Sequence, residues 1–241
     1  MTEQLNQSVT SLKLSRKQKL ALELLDDPQV VELDYGGAAG GAKSWTVCLW
    51  MILQCRQYPG IRIGLGRREM VRLKQTTLVT LLREVHPILG IKEGEYKYQG
   101  QNNSITYANE SMIQMFDLAY QPSDPDYDTL GSLNLTHVVI EEIGEVRKKA
   151  KDVFGSRKDR FMNQAYGITG KVVMTVPVKN TLIIPQKATY EIQDKKYVFV
   201  VDKNKVVKSR EIKIKGELPD LYVIQSGIEE SDKILLEGVQ K

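Results

Sequence analysis

The run Gly36-Gly37-Ala38-Ala39-Gly40-Gly41-Ala42-Lys43-Ser44 constrains the fold of this chain most tightly. It follows the apolar segment Val30–Tyr35 and opens the helical pattern Trp45-Thr46-Val47-Cys48-Leu49-Trp50-Met51-Ile52-Leu53. A strand, a glycine-rich turn and Lys-Ser at a helix start form the layout of a phosphate-binding loop. Glycines let backbone N–H groups turn inward around phosphate oxygens, and the helix N-terminus adds its partial positive charge. On this layout Gly37, Ala38, Ala39, Gly40, Gly41 and Ala42 cradle the phosphates. Lys43 reaches the β- and γ-phosphates of ATP, and the Ser44 hydroxyl holds Mg²⁺. Ala42 stands where glycine is usual, which is awkward only if that residue needs φ > 0. The alternative is a glycine-rich strand–helix turn that binds nothing.

A second element bears on that choice. His137-Val138-Val139-Ile140-Glu141-Glu142 is a short buried-type strand ending in two acids. Taken alone, such a run is an ordinary solvated strand end. Downstream of a phosphate loop, Glu141 is expected to serve the metal and Glu142 to activate the attacking water. Asp is commoner at the first position, so Glu141 puts a longer arm there.

With 241 residues the chain holds one large domain or two small ones. Its 41% hydrophobic and 27% charged residues are those of a soluble globular protein. A net charge of +4 excludes a nucleic-acid-coating protein and leaves room for a local basic face. Cys48 and Cys55 share one face of the loop helix but lie two turns apart, so both read as reduced core thiols of a reducing compartment. The first residues lack a basic start followed by an apolar run, so no secretory signal is expected. No stretch reaches the length of a membrane span.

Along the chain, residues 15–30 read as a helix capped by Ser15 and stopped before Pro28. Strand one is expected at 30–35, the loop helix at 43–57, strand two at 61–66 and a helix at 68–85. A hairpin over Tyr96–Tyr107, a strand over Met112–Leu118, a polar loop over Pro122–Asp128 and the Glu141-Glu142 strand follow. After a basic segment at Arg147–Lys151, a further strand is expected at Lys171–Thr175. This alternation predicts an α/β fold with a parallel sheet and flanking helices. From Val176 onward the helical signal disappears. Five short strands are expected around 181–184, 197–201, 206–215, 221–224 and 233–236, with a hairpin turn at Asp202–Lys205. The reading is therefore two domains, 1–175 and 176–241.

The front half resembles the ATPase domain of the large terminase subunit of tailed bacteriophages, the motor that packs DNA into a prohead. The matching pieces are Ser15-Arg16-Lys17-Gln18, the Gly36–Ser44 loop, Gly64-Leu65-Gly66-Arg67-Arg68 and Val138–Glu142. Val153-Phe154-Gly155-Ser156-Arg157 and Gly170–Thr175 complete the series. The resemblance implies that Gln18 contacts adenine, that the strand ending at Thr175 couples hydrolysis to DNA movement, and that Glu142 and Lys43 are catalytic. Its implied partners are double-stranded DNA, the portal and the small terminase subunit, with the motor working as a ring of copies in the host cytoplasm. The Asn-Pro sequence, further ATPase sequence and RNase H-like nuclease domain of a terminase do not follow Thr175, so no nuclease activity is expected.

The tail resembles the membrane-proximal β domain of periplasmic adaptor (membrane fusion) subunits of efflux pumps. Leu182–Ala188, Tyr197–Val201, Val207–Arg210 and Gly227–Ile234 carry that likeness. The lipoyl domain, helical hairpin and barrel of an adaptor are not seen. The chain thus looks like a fusion of two unrelated fragments joined near Met174–Pro177.

Other residues carry two readings each. Arg67 and Arg68 are either charge-sensing or DNA-facing arginines or a solvated helix start. Arg147, Lys148, Lys149, Lys151, Arg157, Lys158 and Arg160 touch DNA phosphates or form an exposed basic face. His86 and His137 lack the neighbours of a metal site, and Trp45 and Trp50 read as core. The leading expectation is a P-loop ATPase fragment using ATP and Mg²⁺. The alternatives are a non-enzymatic adaptor module that meets efflux-pump subunits, or a chimera with neither activity.

Overall fold

The computed structural model describes residues 12–37, 42–177, 182–202, 205–218 and 221–236. The chain divides into two compact units, Met1–Pro177 and Val178–Lys241. In the first, helix α1 (Arg16–Asp26) starts with a full capping box: Ser15 Oγ accepts from the Gln18 N–H, and the Gln18 side chain accepts from the Ser15 N–H. Strand β1 (Glu32–Gly37) leads toward helix α2 (Lys43–Gln57). Strand β2 (Arg62–Arg67) follows, then helix α3 (Met70–Gln75).

The single helix expected over 68–85 is in fact broken. After α3 come a short turn at Thr77–Val79, a π-helical segment Thr80–Val85 and a last turn at His86–Ile88. Three threonines between 76 and 80 weaken the helix there, since their branched side chains and hydroxyls compete with regular α bonding. Strands β3 (Tyr96–Gln99), β4 (Ser104–Tyr107) and β5 (Met112–Asp117) come next. Strand β6 (His137–Ile140), helix α4 (Lys148–Gly155) and strand β7 (Val172–Pro177) complete the unit. The basic segment is thus the start of a helix, and the last strand runs two residues past Thr175. β1 and β2 likewise each begin and end slightly later than the sequence implies.

The seven strands form one mixed sheet in the order β1-β7-β6-β2-β5-β4-β3. The first five are parallel and the β3–β4 hairpin is added antiparallel to β5. β1 is an edge strand whose ladder partner is β7. Val172 N–H donates to the Val31 carbonyl at 2.9 Å, which sets which backbone groups face β7. By the two-residue alternation, Leu33, Tyr35 and Gly37 also face β7, whereas Glu32, Asp34 and Gly36 face outward.

Each face of the sheet carries its own core. On one, α2 buries Val47, Leu49, Trp50, Met51 and Ile52 against Ile63, Leu65, Val139 and Val173. An α-helix apolar on nearly every side belongs at the centre of a domain, which is where α2 lies. On the other face Val138, Ile140, Val172 and Met174 meet Leu118, Leu135 and Phe154 of α4. Gly64 and Gly66 belong to this second face, and both are tight against Phe154. A Cβ at Gly64 would lie 2.6 Å from Leu135 and 2.9 Å from Phe154; one at Gly66 would lie 2.6 Å from Leu118 and 2.8 Å from Phe154. The Gly-Leu-Gly of β2 thus gives Phe154 its seat, and burying that ring contributes about 2–3 kcal/mol.

The second unit is an antiparallel all-β sheet in the order β13-β10-β11-β12-β8, with β9 also pairing β10. Its strands are β8 (Ile183–Pro185), β9 (Thr189–Ile192), β10 (Lys195–Val201), β11 (Val207–Leu218), β12 (Leu221–Ser226) and β13 (Lys233–Ile234). β9 has no counterpart in the sequence reading. It is joined to β10 by Gln193 and Asp194, both at positive φ (48° and 62°), a two-residue hairpin without the glycine that usually signals one. β11 bends through register shifts around Ile214, so that its first half pairs β10 and its second half β12. Ile184, Val198, Val200, Ile212, Tyr222 and Ile224 form the core. Among the described residues, no helix is long and apolar enough to cross a membrane.

Candidate nucleotide site

Three elements of the first unit bring their ends together at the carboxyl side of the sheet. α2 contributes Lys43 and Ser44 at its first turn, β6 delivers Glu141 and Glu142, and β7 presents Thr175. In parallel sheets this is the side where ligands bind, because loops there are free to diverge around a crevice. Ala38, Ala39, Gly40 and Gly41 lie outside the described residues. Gly37 closes β1 and Ala42 precedes α2 on either side of them.

Ala42 has φ 51° and ψ 25°, in the left-handed region. The positive φ named as the awkward case is therefore the one adopted, at a cost of about 1–2 kcal/mol that glycine would avoid. Its carbonyl is well used: Thr46 N–H donates to it at 2.9 Å and Thr46 Oγ1 at 2.8 Å. Lys43 is 9% exposed, unusually buried for a lysine.

Glu141 is 1% exposed and its backbone N–H extends the ladder to the Gly66 carbonyl at 2.8 Å. One carboxylate oxygen, Oε2, accepts from Ser44 Oγ at 3.1 Å and from Thr175 Oγ1 at 2.9 Å. The other, Oε1, is buried and has no hydrogen-bond partner. Burial raises the Glu141 pKa above the usual carboxylate value. The Thr175 and Ser44 hydrogen bonds and the Arg67 charge oppose that shift, and neighbouring Glu142 adds to it.

Glu142 sits at φ 54° and ψ 53°, a left-handed conformation held by its own N–H donating to Thr175 Oγ1 at 2.8 Å. Its Oε2 is also buried without a partner. Thr175 therefore ties the Glu141 carboxylate and the Glu142 backbone to the tip of β7 through one hydroxyl. The sequence marked Thr175 as the end of a strand but did not identify it as the group that orients the acids. Two buried carboxylate oxygens without partners beside a serine hydroxyl are what a hard cation with oxygen ligands needs. The Ser44 hydroxyl and the Glu141 carboxylate thus fit Mg²⁺ on their donor set.

Gln18 is buried, and its amide Nε2 donates to Thr46 Oγ1 at 3.1 Å. With its Oε1 in the capping box, the side chain links α1 to α2. Gln18, Ala42 and Trp45, with Leu12, Lys13, Leu14 and Ile88, line a cavity of about 380 Å³. Trp45 is half-buried beside this cavity, whereas Trp50 is fully in the core, edge-on to His137 at 5.2 Å. The reading of both tryptophans as core holds fully for Trp50 and in part for Trp45, which packs partly buried against the same core.

The remaining candidates resolve differently. Arg67 donates to Thr76 Oγ1 at 3.0 Å and acts electrostatically on Glu141. Arg147 stacks on Tyr120 at 3.8 Å. Much of the basic cluster is neutralised or engaged: Lys149 pairs with Asp126, Lys151 with Glu32, Lys158 with Asp159, and Arg157 donates to the Gly131 carbonyl. His86 donates to or accepts from Tyr107 OH at 2.9 Å, and burial lowers its pKa to about 4. Burial likewise lowers His137 to about 3. Among the described residues no group of three or more His, Cys, Asp or Glu could hold a metal ion. Cys48 and Cys55 are free and buried.

Comparison with known proteins separates the two units. Residues 180–241 match the family model described as RND MFPs, C-terminal permuted SH3 domain. Over 64 residues the chain is 34% identical to multidrug resistance protein MdtE of Escherichia coli O157:H7, covering 26% of this chain and 17% of that protein. The large terminase from a thermophilic bacteriophage matches 68% of this chain with a TM-score of 0.52 and 13% identity, over 39% of the terminase. The same terminase in complex with ADP gives a TM-score of 0.52 at 11% identity. At such identities the likeness is one of fold. The front unit has the terminase ATPase fold, the tail resembles an adaptor domain, and the chain covers 39% of that terminase and 17% of that MdtE protein.

Proposed function

We propose that the first unit binds and hydrolyses ATP with Mg²⁺, as a motor fragment of the phage large-terminase type. The observation that supports this best is the convergence of Ser44, Glu141, Glu142 and Thr175, with one buried oxygen on each acid left without a partner. Structures with this degree of polar burial and no ligand role are uncommon, because each such oxygen costs about 1–3 kcal/mol. The thermophilic-phage terminase, which shares the fold, crystallises with ADP.

On this reading Lys43 neutralises charge on the β- and γ-phosphates, and the amides from Gly37 to Ala42 cradle them. Ser44 and Glu141 hold Mg²⁺, which when bound draws charge from the phosphate oxygens. Glu142, its backbone fixed by Thr175, accepts the proton of the attacking water. Fixing that backbone limits the reorganisation needed at the moment of reaction. The cavity beside Gln18 and Trp45 receives the adenine. Thr175, bonded to both acids, links their state to β7. Double-stranded DNA, portal and small terminase subunit are the partners of that motor, and a ring of copies in the cytoplasm is its working form. The buried free thiols suit that compartment.

A second reading attaches to the other unit. Its match to the adaptor family model supports reading residues 180–241 as a non-enzymatic docking module for an efflux-pump subunit.

Calorimetry with ATP and Mg²⁺ on the full chain tests the first reading. The wild type binds, Lys43→Ala does not, and Glu142→Gln binds while turnover falls by about 10²–10⁴-fold. Equal affinity in Lys43→Ala would remove the phosphate-loop assignment. Unchanged turnover in Glu142→Gln would remove the role of that acid.

A further inference from the structure

Lys17, on α1, has no place in the site described above. Its ammonium donates to the Gly36 carbonyl, which points away from β7 at the open edge of β1. The same ammonium lies 5.4 Å from the centre of the Tyr35 ring. Burial, and then the charge of Lys43, lower the Lys17 pKa from its usual value. The charge of Lys43 on α2 thus acts on the ammonium that Lys17 of α1 holds against the Gly36 carbonyl. Neighbouring like charges in a half-buried setting repel, and the repulsion is relieved when an anion lies between them. The Gly36 carbonyl occupies one of the three N–H donors of Lys17, so two remain for such an anion. The aromatic face and the carbonyl hold the side chain in place in advance, so less rotamer entropy is lost on binding.

We infer that Lys17 is a second cation of the phosphate site, contacting the phosphate chain of a nucleoside triphosphate from the outer edge of β1, opposite Lys43. This rests on the ATP reading of the same site. It explains why a lysine is placed against the last backbone carbonyl before the loop, where an aliphatic or neutral polar residue would cover the strand edge as well. The contact is with the phosphate chain rather than the nucleoside, so inorganic tripolyphosphate shares the chemistry and serves as a probe.

The test measures binding of ATP, ADP and inorganic tripolyphosphate to wild-type chain, Lys17→Gln, Lys17→Arg and Lys43→Ala, at low and at physiological salt. A charge-assisted contact predicts that Lys17→Gln weakens ATP and tripolyphosphate by roughly tenfold or more, and flattens the salt dependence. Lys17→Arg, which keeps the charge, stays within a few-fold of wild type. The melting temperature of Lys17→Gln is unchanged or higher, because repulsion with Lys43 is gone. Wild-type affinity for tripolyphosphate in Lys17→Gln, with binding lost in Lys43→Ala, overturns the role of Lys17 and leaves the phosphate loop standing. A lower melting temperature with equal losses in Lys17→Gln and Lys17→Arg also overturns it, in favour of a purely structural edge cap. Absence of any ATP binding by the wild type overturns both readings.

Discussion

The two units bury different things. The first places hydrophobic cores on both faces of its sheet and also buries Lys43, His137, Glu141, Lys171 and Thr175. In the second the core is six side chains, and none of the buried polar or charged side chains among the described residues lies beyond Thr175. Its charges pair at the surface instead, as Lys195 with Glu211, Lys196 with Glu191, Lys208 with Asp202 and Arg210 with Asp232. Exposed pairs of this sort contribute little, and their acids and bases stay in water. A fold needs no buried carboxylate to be stable, and burying one is costly. Glu141 is buried all the same, at the end of a parallel strand and beside the Ser44 and Thr175 hydroxyls, which marks it as a candidate for chemistry. The contrast separates a unit that buries a polar cluster from one that keeps its charges at the surface.

Substitutions that strike one unit and spare the other put this contrast at risk. The largest effect is expected for Phe154→Ala, which empties the seat formed by Gly64 and Gly66 and costs the first unit about 3–5 kcal/mol. Differential scanning calorimetry should show that unit's transition falling sharply while the other stays put. A common shift of all transitions would mean that the two units fold as one. Next comes Gly227→Ala in the second unit. Gly227 has φ 112°, and a Cβ there would lie 2.4 Å from the Glu211 carbonyl oxygen. Backbone strain of about 1–3 kcal/mol, added to that clash, is enough to unfold a sheet with so small a core. Nucleotide binding by the first unit should survive; its loss along with the β sheet would contradict the division.

The smallest effect concerns pH. Because burial raises the Glu141 pKa, the folded state favours the neutral acid more than the unfolded chain does. The stability it supplies is full below the unfolded carboxylate value and declines as pH rises through the raised one. Glu141→Gln removes that slope. Thermal melts between about pH 4 and pH 7 should therefore show Glu141→Gln gaining on the parent as pH rises. Parallel curves for the two proteins would show that Glu141 is not held in the way the geometry implies.

Much of this was legible in the sequence. The Ser15 cap, the bounds of α2, the hairpin at 96–107 and the buried β6 follow from local rules that the tertiary structure reinforces. The pairing of Ser44 with Glu141, 97 residues apart, is implied by the order of loop and acidic strand. What could not be read lies in contacts rather than in runs. Thr175 looks like any β-branched strand residue until its hydroxyl meets both acids. Lys17 looks like a solvated helix lysine until α1 is folded across the end of β1. The π-helical segment at 80–85 and the glycine-free turn at Gln193-Asp194 have no strong local signature, since each is imposed by the packing on either side. The adenine role of Gln18 also acquires a competitor, because its side chain is already committed to Ser15 and Thr46.

The edge position of β1 has a further consequence, in the exchange of backbone hydrogens with solvent. Leu33 and Tyr35 direct their N–H groups into the ladder with β7, while those of Glu32, Asp34 and Gly36 point outward. Successive residues of one strand are therefore expected to exchange on very different clocks, slow where the ladder must open and fast where it need not. The fast amide of Gly36 lies immediately before the loop. Slowing of that one amide, with Leu33 and Tyr35 unchanged, would report events at the loop without requiring the sheet to move.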